Sequence, residues 1–207
     1  MVPFVQYRYY GGVMHIKIVD NRVFSEIWVD GEMYKEIHKA LYKKYVKDIL
    51  CVPSTCALQT LLAQLDTKIA RALVYKYLAC KGYMTEELEK KLTIYKIGPA
   101  AIKRVLQECR ELGYLDDQRE AQLFVNTLKR KGWGPNMISL KLRSRTSGFC
   151  DFAKISDQEQ RKMVHCWIEK KKKNQDFSDV KTKQKLYRFL KGKGFEEEII
   201  LQELMHV

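Results

Sequence analysis

The sequence repeats a short pattern of glycine, aromatic and apolar residues, and this repetition limits the folds that the chain can adopt. Segments 81–92 and 131–142 both begin with Lys, Gly and an aromatic residue, and both carry apolar residues six and ten positions after the glycine. In each copy the glycine can end one helix in a left-handed conformation, and the aromatic residue anchors the turn. The two apolar residues, four positions apart, then face inward from the next helix. The two segments therefore predict the same helical unit.

A second register extends the repetition towards the end of the chain. Leu92 is followed by apolar residues at positions 97, 102 and 106, and Leu190 is followed by apolar residues at positions 195, 200 and 204, at the same offsets. These offsets predict three units of three helices each, at residues 67–115, 116–155 and 156–207. The third helix of the middle unit is expected to be degraded, because segment 144–155 has little helical pattern.

A unit of about 45 residues is too small to bury a full core, so neighbouring units are expected to stack and share apolar faces. The predicted fold class is mainly α. It is an elongated array of three tandem three-helix repeats, preceded by a small N-terminal segment of β-hairpin and helix. Such an array exposes one extended surface, which suits a filament or a groove better than a small substrate.

The first 52 residues are predicted to form that N-terminal extension. Apolar and polar residues alternate between Val13 and Val29 with a turn at Asp20-Asn21, which predicts a β-hairpin. Asp30-Gly31 marks a further turn, and Tyr34–Leu50 is predicted as a helix with lysines at i,i+4 spacing. The break around Pro53 predicts a domain boundary, with a linker over residues 53–66.

The charge of the chain points to a polyanionic partner. Thirty-eight Lys and Arg face 25 Asp and Glu, which gives a formal charge of +13, and an excess of this size makes nucleic acid the default candidate. Composition alone fits a ribosome-associated or merely soluble basic protein equally well, so the positions of the cations decide. They crowd the C-terminal two-thirds. The candidate binding residues are Lys129, Arg130, Lys131, Lys141, Arg143, Arg145, Lys170, Lys171, Lys185, Arg188, Lys191 and Lys193.

The sequence gives no basis for catalysis or a cofactor. The four histidines are scattered singly, and the acid pair Asp116-Asp117 lies where a helix is expected to begin, so helix capping explains it better than a metal site. No glycine-rich nucleotide loop occurs. The six cysteines never form C-x-x-C and are expected to be free thiols. We therefore expect a non-enzymatic protein, and the stacked array predicts a monomer. A cytoplasmic location is expected because no signal peptide or long apolar segment is apparent.

Two groups of residues form recognisable motifs. The central group is Gly113-Tyr114-Leu115-Asp116-Asp117, Ala121, Phe124-Val125, Lys131-Gly132-Trp133-Gly134-Pro135 and Ile138. The C-terminal group is Lys185-Leu186-Tyr187-Arg188-Phe189-Leu190, Gly194-Phe195 and Ile199 or Ile200. Together these motifs resemble the RecX family, the modulators of the RecA recombinase filament. The segment 29–32 before the first predicted helix also looks like the extension that some members carry. Where many members have Arg-x-Arg-Ser, this chain has Lys81, Tyr83 and Met84, so its first repeat is expected to be less basic.

The resemblance implies a regulator that lies in the groove of the RecA–DNA filament and restrains its ATPase, strand exchange or assembly. Its partners would be the RecA filament, single-stranded DNA and, as a further option, double-stranded DNA. The alternative is a general single-stranded DNA- or RNA-binding helical repeat protein that uses the same basic face without a recombinase.

Overall fold

The computed structural model describes residues 14–146, 148, 155–173 and 179–205. The chain divides into two compact units, Met1–Leu115 and Asp116–Val207. Helices predominate in the described residues, and the strands found there form one small sheet in the first unit. The prediction of a mainly α fold with a small N-terminal β segment is confirmed.

The sheet has three antiparallel strands in the order β1-β2-β3, namely Ile16–Asp20, Phe24–Val29 and Glu32–His38. The predicted hairpin corresponds to β1 and β2, in which Ile16 pairs with Val29 and Asp20 with Ser25. Alternate residues of β2 are buried, as expected for a strand with one face on the core. One face of the sheet therefore covers the helices of the first unit.

The prediction of a single helix over Tyr34–Leu50 is wrong. Asp30 and Gly31 both have positive φ values, 51° and 89°, as in the two-residue turns that match the twist of a β-hairpin. This turn returns the chain alongside β2, so residues 32–38 form β3. Helical structure begins only at α1, Lys39–Tyr42, and continues through a 3₁₀ turn, Lys43–Tyr45, to α2, Val46–Leu50.

The predicted linker over 53–66 is also wrong, because α3 runs without interruption through Thr55–Cys80. Ser54 begins this helix: its hydroxyl accepts a hydrogen bond from the backbone N–H of Ala57 at 3.2 Å, which is the usual role of serine at an N-cap. The break around Pro53 is thus a helix start. Two further helices complete the first unit, α4 at Thr85–Ile94 and α5 at Pro99–Glu111.

A buried carboxylate joins the sheet to the helices of the first unit. Asp66 on α3 accepts hydrogen bonds from Lys35 Nζ at 2.5 Å, from the Tyr42 hydroxyl, and from the Gly98 N–H at 2.8 Å before α5. Burial, and then the bond to Asp66, raise the pKa of Tyr42 well above its ordinary value. The charge of Asp66 is therefore satisfied inside the unit.

The second unit contains five helices among the described residues, α6 to α10. Their bounds are Asp117–Arg130, Pro135–Arg143, Asp157–Lys172, Val180–Lys193 and Glu197–Met205. Asp116 caps α6, as predicted, because its carboxylate accepts the Arg119 N–H at 2.9 Å. The expected weakness of the middle repeat's third helix falls mostly on residues 147 and 149–154, which lie outside the described residues. Within the described ranges, no helix has the length and apolarity that a bilayer crossing requires.

The apolar positions that define the repeat are buried. They are Leu88, Leu92, Ile97, Ile102 and Leu106 on α4 to α5, Ile138 and Leu142 on α7, and Leu186, Leu190, Phe195, Ile200 and Leu204 on α9 to α10. Gly132 is left-handed as predicted, with φ 71°. Gly82 is not: α3 ends at Cys80 through Lys81, whose backbone is extended. The repeat spacing therefore predicted which residues are buried more accurately than it predicted the conformation of the turns.

Candidate functional site

Three aromatic rings in the second unit gather around one lysine. Trp133 follows α6, Trp167 lies on α8 and Phe189 lies on α9. The ammonium nitrogen of Lys193 lies 4.1 Å from the ring centroid of Trp133, 4.8 Å from that of Trp167 and 5.6 Å from that of Phe189. These are cation–π distances, and contact with the rings holds the end of a flexible side chain in place.

Three further lysines contact the same rings. Lys141 lies 4.6 Å from the Trp133 centroid, Lys170 lies 5.2 Å from Trp167, and Lys171 lies 4.8 Å from Phe189. We call the seven residues the aromatic–lysine cluster: Trp133, Trp167, Phe189, Lys141, Lys170, Lys171 and Lys193. The four lysine ammonium groups that lie against these neighbouring rings repel each other, so an anion with several negative charges would stabilise the cluster.

Glycines allow the elements of the cluster to approach closely. A Cβ atom at Gly132 would lie 2.5 Å from the indole nitrogen of Trp167, and that nitrogen donates a hydrogen bond to the Gly132 carbonyl at 3.0 Å. A Cβ atom at Gly134 would lie 2.5 Å from the backbone of Gly194 and Phe195. The Gly134 N–H donates to the Lys193 carbonyl at 2.8 Å. The backbones at the start of α7 and the end of α9 are thus hydrogen-bonded to each other, which fixes the position of the Lys193 backbone.

Four of the other predicted cations already have partners inside the unit. Lys129 pairs with Glu159 at 3.1 Å, and Arg145 lies over the Phe124 ring at 4.4 Å. Arg130 donates to the Thr127 hydroxyl at 3.4 Å. Lys191 bonds Glu197 at 3.0 Å and the Tyr187 hydroxyl at 3.2 Å, which raises the pKa of Lys191. The hydrogen-bonded residues Lys129, Arg130 and Lys191 contribute positive charge but are less available to a ligand, whereas Arg145 lies on a ring as the cluster lysines do.

The remaining predicted cations are exposed and make no ion pair among the described residues. They are Lys131, Arg143, Lys185 and Arg188. Helix α9 carries six cations and no carboxylate, and α7 carries two cations and no carboxylate. Since neither helix neutralises its own charge, both present positive potential to an incoming polyanion.

Sequence reasoning found the cations but assigned none of the three rings to the site: Trp133 was predicted only as the anchor of a turn, and Trp167 and Phe189 were given no binding role. A local signal was available. Trp167 precedes Lys170 by three residues, and Phe189 precedes Lys193 by four, and residues three or four apart lie on the same side of a helix. The contacts of Trp133 and Trp167 with Lys193, by contrast, depend on tertiary packing. Among the described residues, no group of His, Cys, Asp or Glu side chains is arranged to hold a metal ion.

Comparison with known proteins places this unit in a family. The model for the third three-helix domain of RecX matches residues 157–204, which contain α8, α9 and all but the last residue of α10. The regulatory protein RecX of Acinetobacter baylyi is 32% identical over 156 residues, covering 72% of this chain and 94% of that protein. The chain belongs to the RecX family. The RecX protein of Serratia proteamaculans is similar to it as well, with 31% identity over 144 residues, 67% of this chain and 83% of the relative.

Solved RecX structures share the fold. A crystal structure of regulatory protein RecX aligns with a TM-score of 0.56 at 18% identity, over 90% of this chain and 97% of that chain. The crystal structure of RecX from Lactobacillus salivarius aligns with a TM-score of 0.59 at 22% identity, over 69% of this chain and 98% of the other. In this RecX family member, α8 and α9 of the matched third domain supply Trp167, Phe189 and three of the four cluster lysines.

Proposed function

We propose that this RecX family member is a regulatory protein that binds the RecA–DNA filament in its groove and inhibits the ATPase and strand exchange of the recombinase. The observation that carries the proposal is the aromatic–lysine cluster, together with the exposed cations of α7 and α9. RecA as the partner comes with the family resemblance. The cluster supports the DNA part of the proposal on physical grounds.

Lysines held on aromatic rings are suited to a repeating polyanion. A free lysine side chain loses conformational entropy when a ligand orders it, about 1.5 to 2 kcal/mol at most, whereas Lys193 is already ordered by three rings. The ammonium groups of Lys141, Lys170, Lys171 and Lys193 can then displace the cations condensed on successive phosphates of single-stranded DNA. Each ammonium makes a sequence-independent contact, so binding along a filament needs no base recognition.

The proposal includes no catalytic step, no cofactor and no second copy of the chain. A regulator of this kind acts by differential binding: it stabilises one state of the filament over another, and the ATPase slows in proportion to that preference. The purified protein is therefore expected to hydrolyse neither ATP nor DNA, with or without magnesium. Turnover that follows the protein through successive purification steps would contradict this.

Co-sedimentation with RecA filaments assembled on single-stranded DNA tests the proposal. Wild-type protein should pellet with the filaments, and Lys193→Gln should pellet about three to ten times less well, since a charge-assisted contact contributes about 0.7 to 1.4 kcal/mol. The matched control is Lys47→Gln, which removes one exposed charge from α2 of the first unit. If wild type binds bare DNA but neither pellets with filaments nor slows RecA, the general nucleic-acid-binding alternative is correct.

A further inference from the structure

Helices α9 and α10 leave a strip of apolar side chains uncovered at one end of the second unit. Val180 at the start of α9 is 67% exposed, and Leu201 and Met205 on α10 are 44% and 80% exposed. They line a groove of about 260 Å³ with Tyr187 and the buried Leu204. Leu201, Leu204 and Met205 are spaced i, i+3, i+4, so they share one side of α10.

The shape and chemistry of this groove fit a protein segment. Its volume lies below the range of about 300 to 1,000 Å³ that is usual for small-molecule pockets, and its lining is mostly aliphatic. The sugar–phosphate backbone of DNA has little apolar surface to bury against valine, leucine and methionine. Apolar side chains that project from one face of a partner helix can enter such a groove at i, i+3 and i+4 positions.

The charges around the groove indicate that the partner segment is acidic. Lys183 lines the groove, Lys181 is exposed beside it in the sequence, and α9 has no carboxylate of its own. The carboxylates of α10 lie outside the groove lining. Glu197 is bound by Tyr187 and Lys191, and Glu203 pairs with Arg161 at 3.6 Å. The exposed Glu198 and Asp179 form no ion pair with Lys181 or Lys183 among the described residues, and Asp179 caps α9 by accepting the Lys181 N–H at 3.1 Å. A partner carboxylate would therefore meet unneutralised lysines here.

We infer that the α9–α10 groove binds an acidic, amphipathic segment of a protein partner, and that in the filament this segment belongs to a RecA protomer. The inference rests on the proposed function and deepens it, because it assigns the DNA contact to the aromatic–lysine cluster and the RecA contact to the groove. The 14 residues of α9 span about 20 Å. The aromatic–lysine cluster takes up its C-terminal end and the groove its N-terminal end, so one rigid helix connects the DNA contact to the protein contact.

The test measures filament binding and bare-DNA binding on the same variants. Val180→Ser with Leu201→Ser removes exposed apolar surface and should weaken binding to preassembled RecA–DNA filaments about tenfold, because two side chains lose their burial. Binding to a labelled oligo-dT should stay within about twofold. Leu123→Ser with Leu140→Ser is the matched control, since these residues are 50% and 62% exposed on α6 and α7. The control should affect neither measurement.

Two further variants keep the test decisive. Met205→Ser changes the most exposed groove residue at the end of α10, where a folding defect is least expected, and should weaken filament binding alone. Lys183→Glu should weaken filament binding by a larger factor than bare-DNA binding, because an acidic partner would then meet a like charge, whereas DNA would meet only a lower positive potential on α9. It should also reduce the salt dependence of filament binding. Helicity by circular dichroism must match wild type for each variant.

The outcomes are distinguishable. Unchanged filament binding in both apolar variants overturns the inference while the proposed function stands. Equal losses on filaments and on bare DNA also overturn it, because the groove would then be part of the DNA surface. If wild-type protein itself does not bind RecA filaments, the proposed function fails first, and the RecA assignment of the groove fails with it.

Discussion

Gly132→Ala provides a sharp test of how the cluster is built. Gly132 has φ 71°, and Gly113 has nearly the same value, 72°. A Cβ atom at Gly113 would contact nothing within 4 Å, whereas a Cβ atom at Gly132 would lie 2.5 to 2.9 Å from three atoms of the Trp167 indole. Replacing either glycine with alanine should therefore cost the same backbone strain energy, and the two sites differ only in the space available for the new Cβ atom.

The expected free energies follow from this difference. An L-residue in the left-handed region costs about 1 to 2 kcal/mol, so Gly113→Ala should lower the free energy of unfolding by about that amount. Gly132→Ala should cost about 1 to 3 kcal/mol more, since the indole must move out of a packed position and its hydrogen bond to the Gly132 carbonyl is disturbed. The displaced ring also lies next to Lys170 and Lys193, so affinity for single-stranded DNA should fall about tenfold in Gly132→Ala alone.

Urea unfolding followed by circular dichroism, with oligo-dT anisotropy in parallel, measures both effects. A double-mutant cycle with Trp167→Leu isolates the clash: in that background Gly132→Ala should cost no more than Gly113→Ala does in wild type. Equal destabilisation by the two glycine substitutions in the wild-type background would refute the packing argument. Unchanged DNA binding in a folded Gly132→Ala variant would refute the role given to Trp167.

Other expectations test the core, the pH response and the cationic face. Alanine at each of three buried, repeat-equivalent positions should lower the free energy of unfolding by about 2 to 5 kcal/mol, and small losses at all three would contradict the repeat alignment. The positions are Leu88, Ile138 and Leu186. Burial, and then the bond to Tyr95, raise the pKa of Tyr77 to about 12. The unfolded chain therefore loses this proton first, and stability should fall as the pH rises above about 10. Tyr77→Phe should make the decline shallower, and a decline of the same steepness would exclude Tyr77 as its source. Charge reversal at Lys185 with Arg188 should weaken DNA binding without unfolding and flatten the log–log salt slope by about 0.7 per lost contact. The same reversal at Arg143 with Arg145 should have a mixed effect, because Arg145 also packs on Phe124.

The sequence predicted the inward side of the repeats because burial depends on spacing within one helix pair. Leu190 and Phe195 are buried as their offsets required, and the two residues lie on either side of a turn closed by Gly194 with φ 88°. Burial within such a helix pair depends only on the helical period and on one turn, and both can be predicted from the sequence.

Two local patterns contain conflicting signals, and the weaker signal in each predicts the wrong structure. Lysine spacing at positions 39, 43 and 47 favoured a helix from Tyr34, although Asp-Gly at 30–31 is among the strongest signals for a hairpin. Likewise Pro53 and Ser54 suggested a linker, although proline and serine are typical of helix starts. In both places the turn or cap residues carried more information than the charge pattern or the apparent break.

The aromatic–lysine cluster lay beyond sequence reasoning for a different reason. Trp133 and Trp167 are 34 positions apart, and no local pattern states that the rings share Lys193. Their contact depends on Gly132, Gly134 and Gly194 allowing backbones and an indole to approach within distances that a Cβ atom would forbid. Close approach of this kind follows from the packed structure and cannot be deduced from charge or periodicity.

DNA-dependent ATP hydrolysis by RecA, titrated with this protein, tests the central proposal most directly. Wild-type protein should lower the steady-state rate progressively as its concentration rises. Lys193→Gln should require about three to ten times more protein for the same inhibition, and Lys47→Gln should behave as wild type. A RecA rate that stays constant across the titration, while the protein still binds single-stranded DNA in the same buffer, would contradict the proposal.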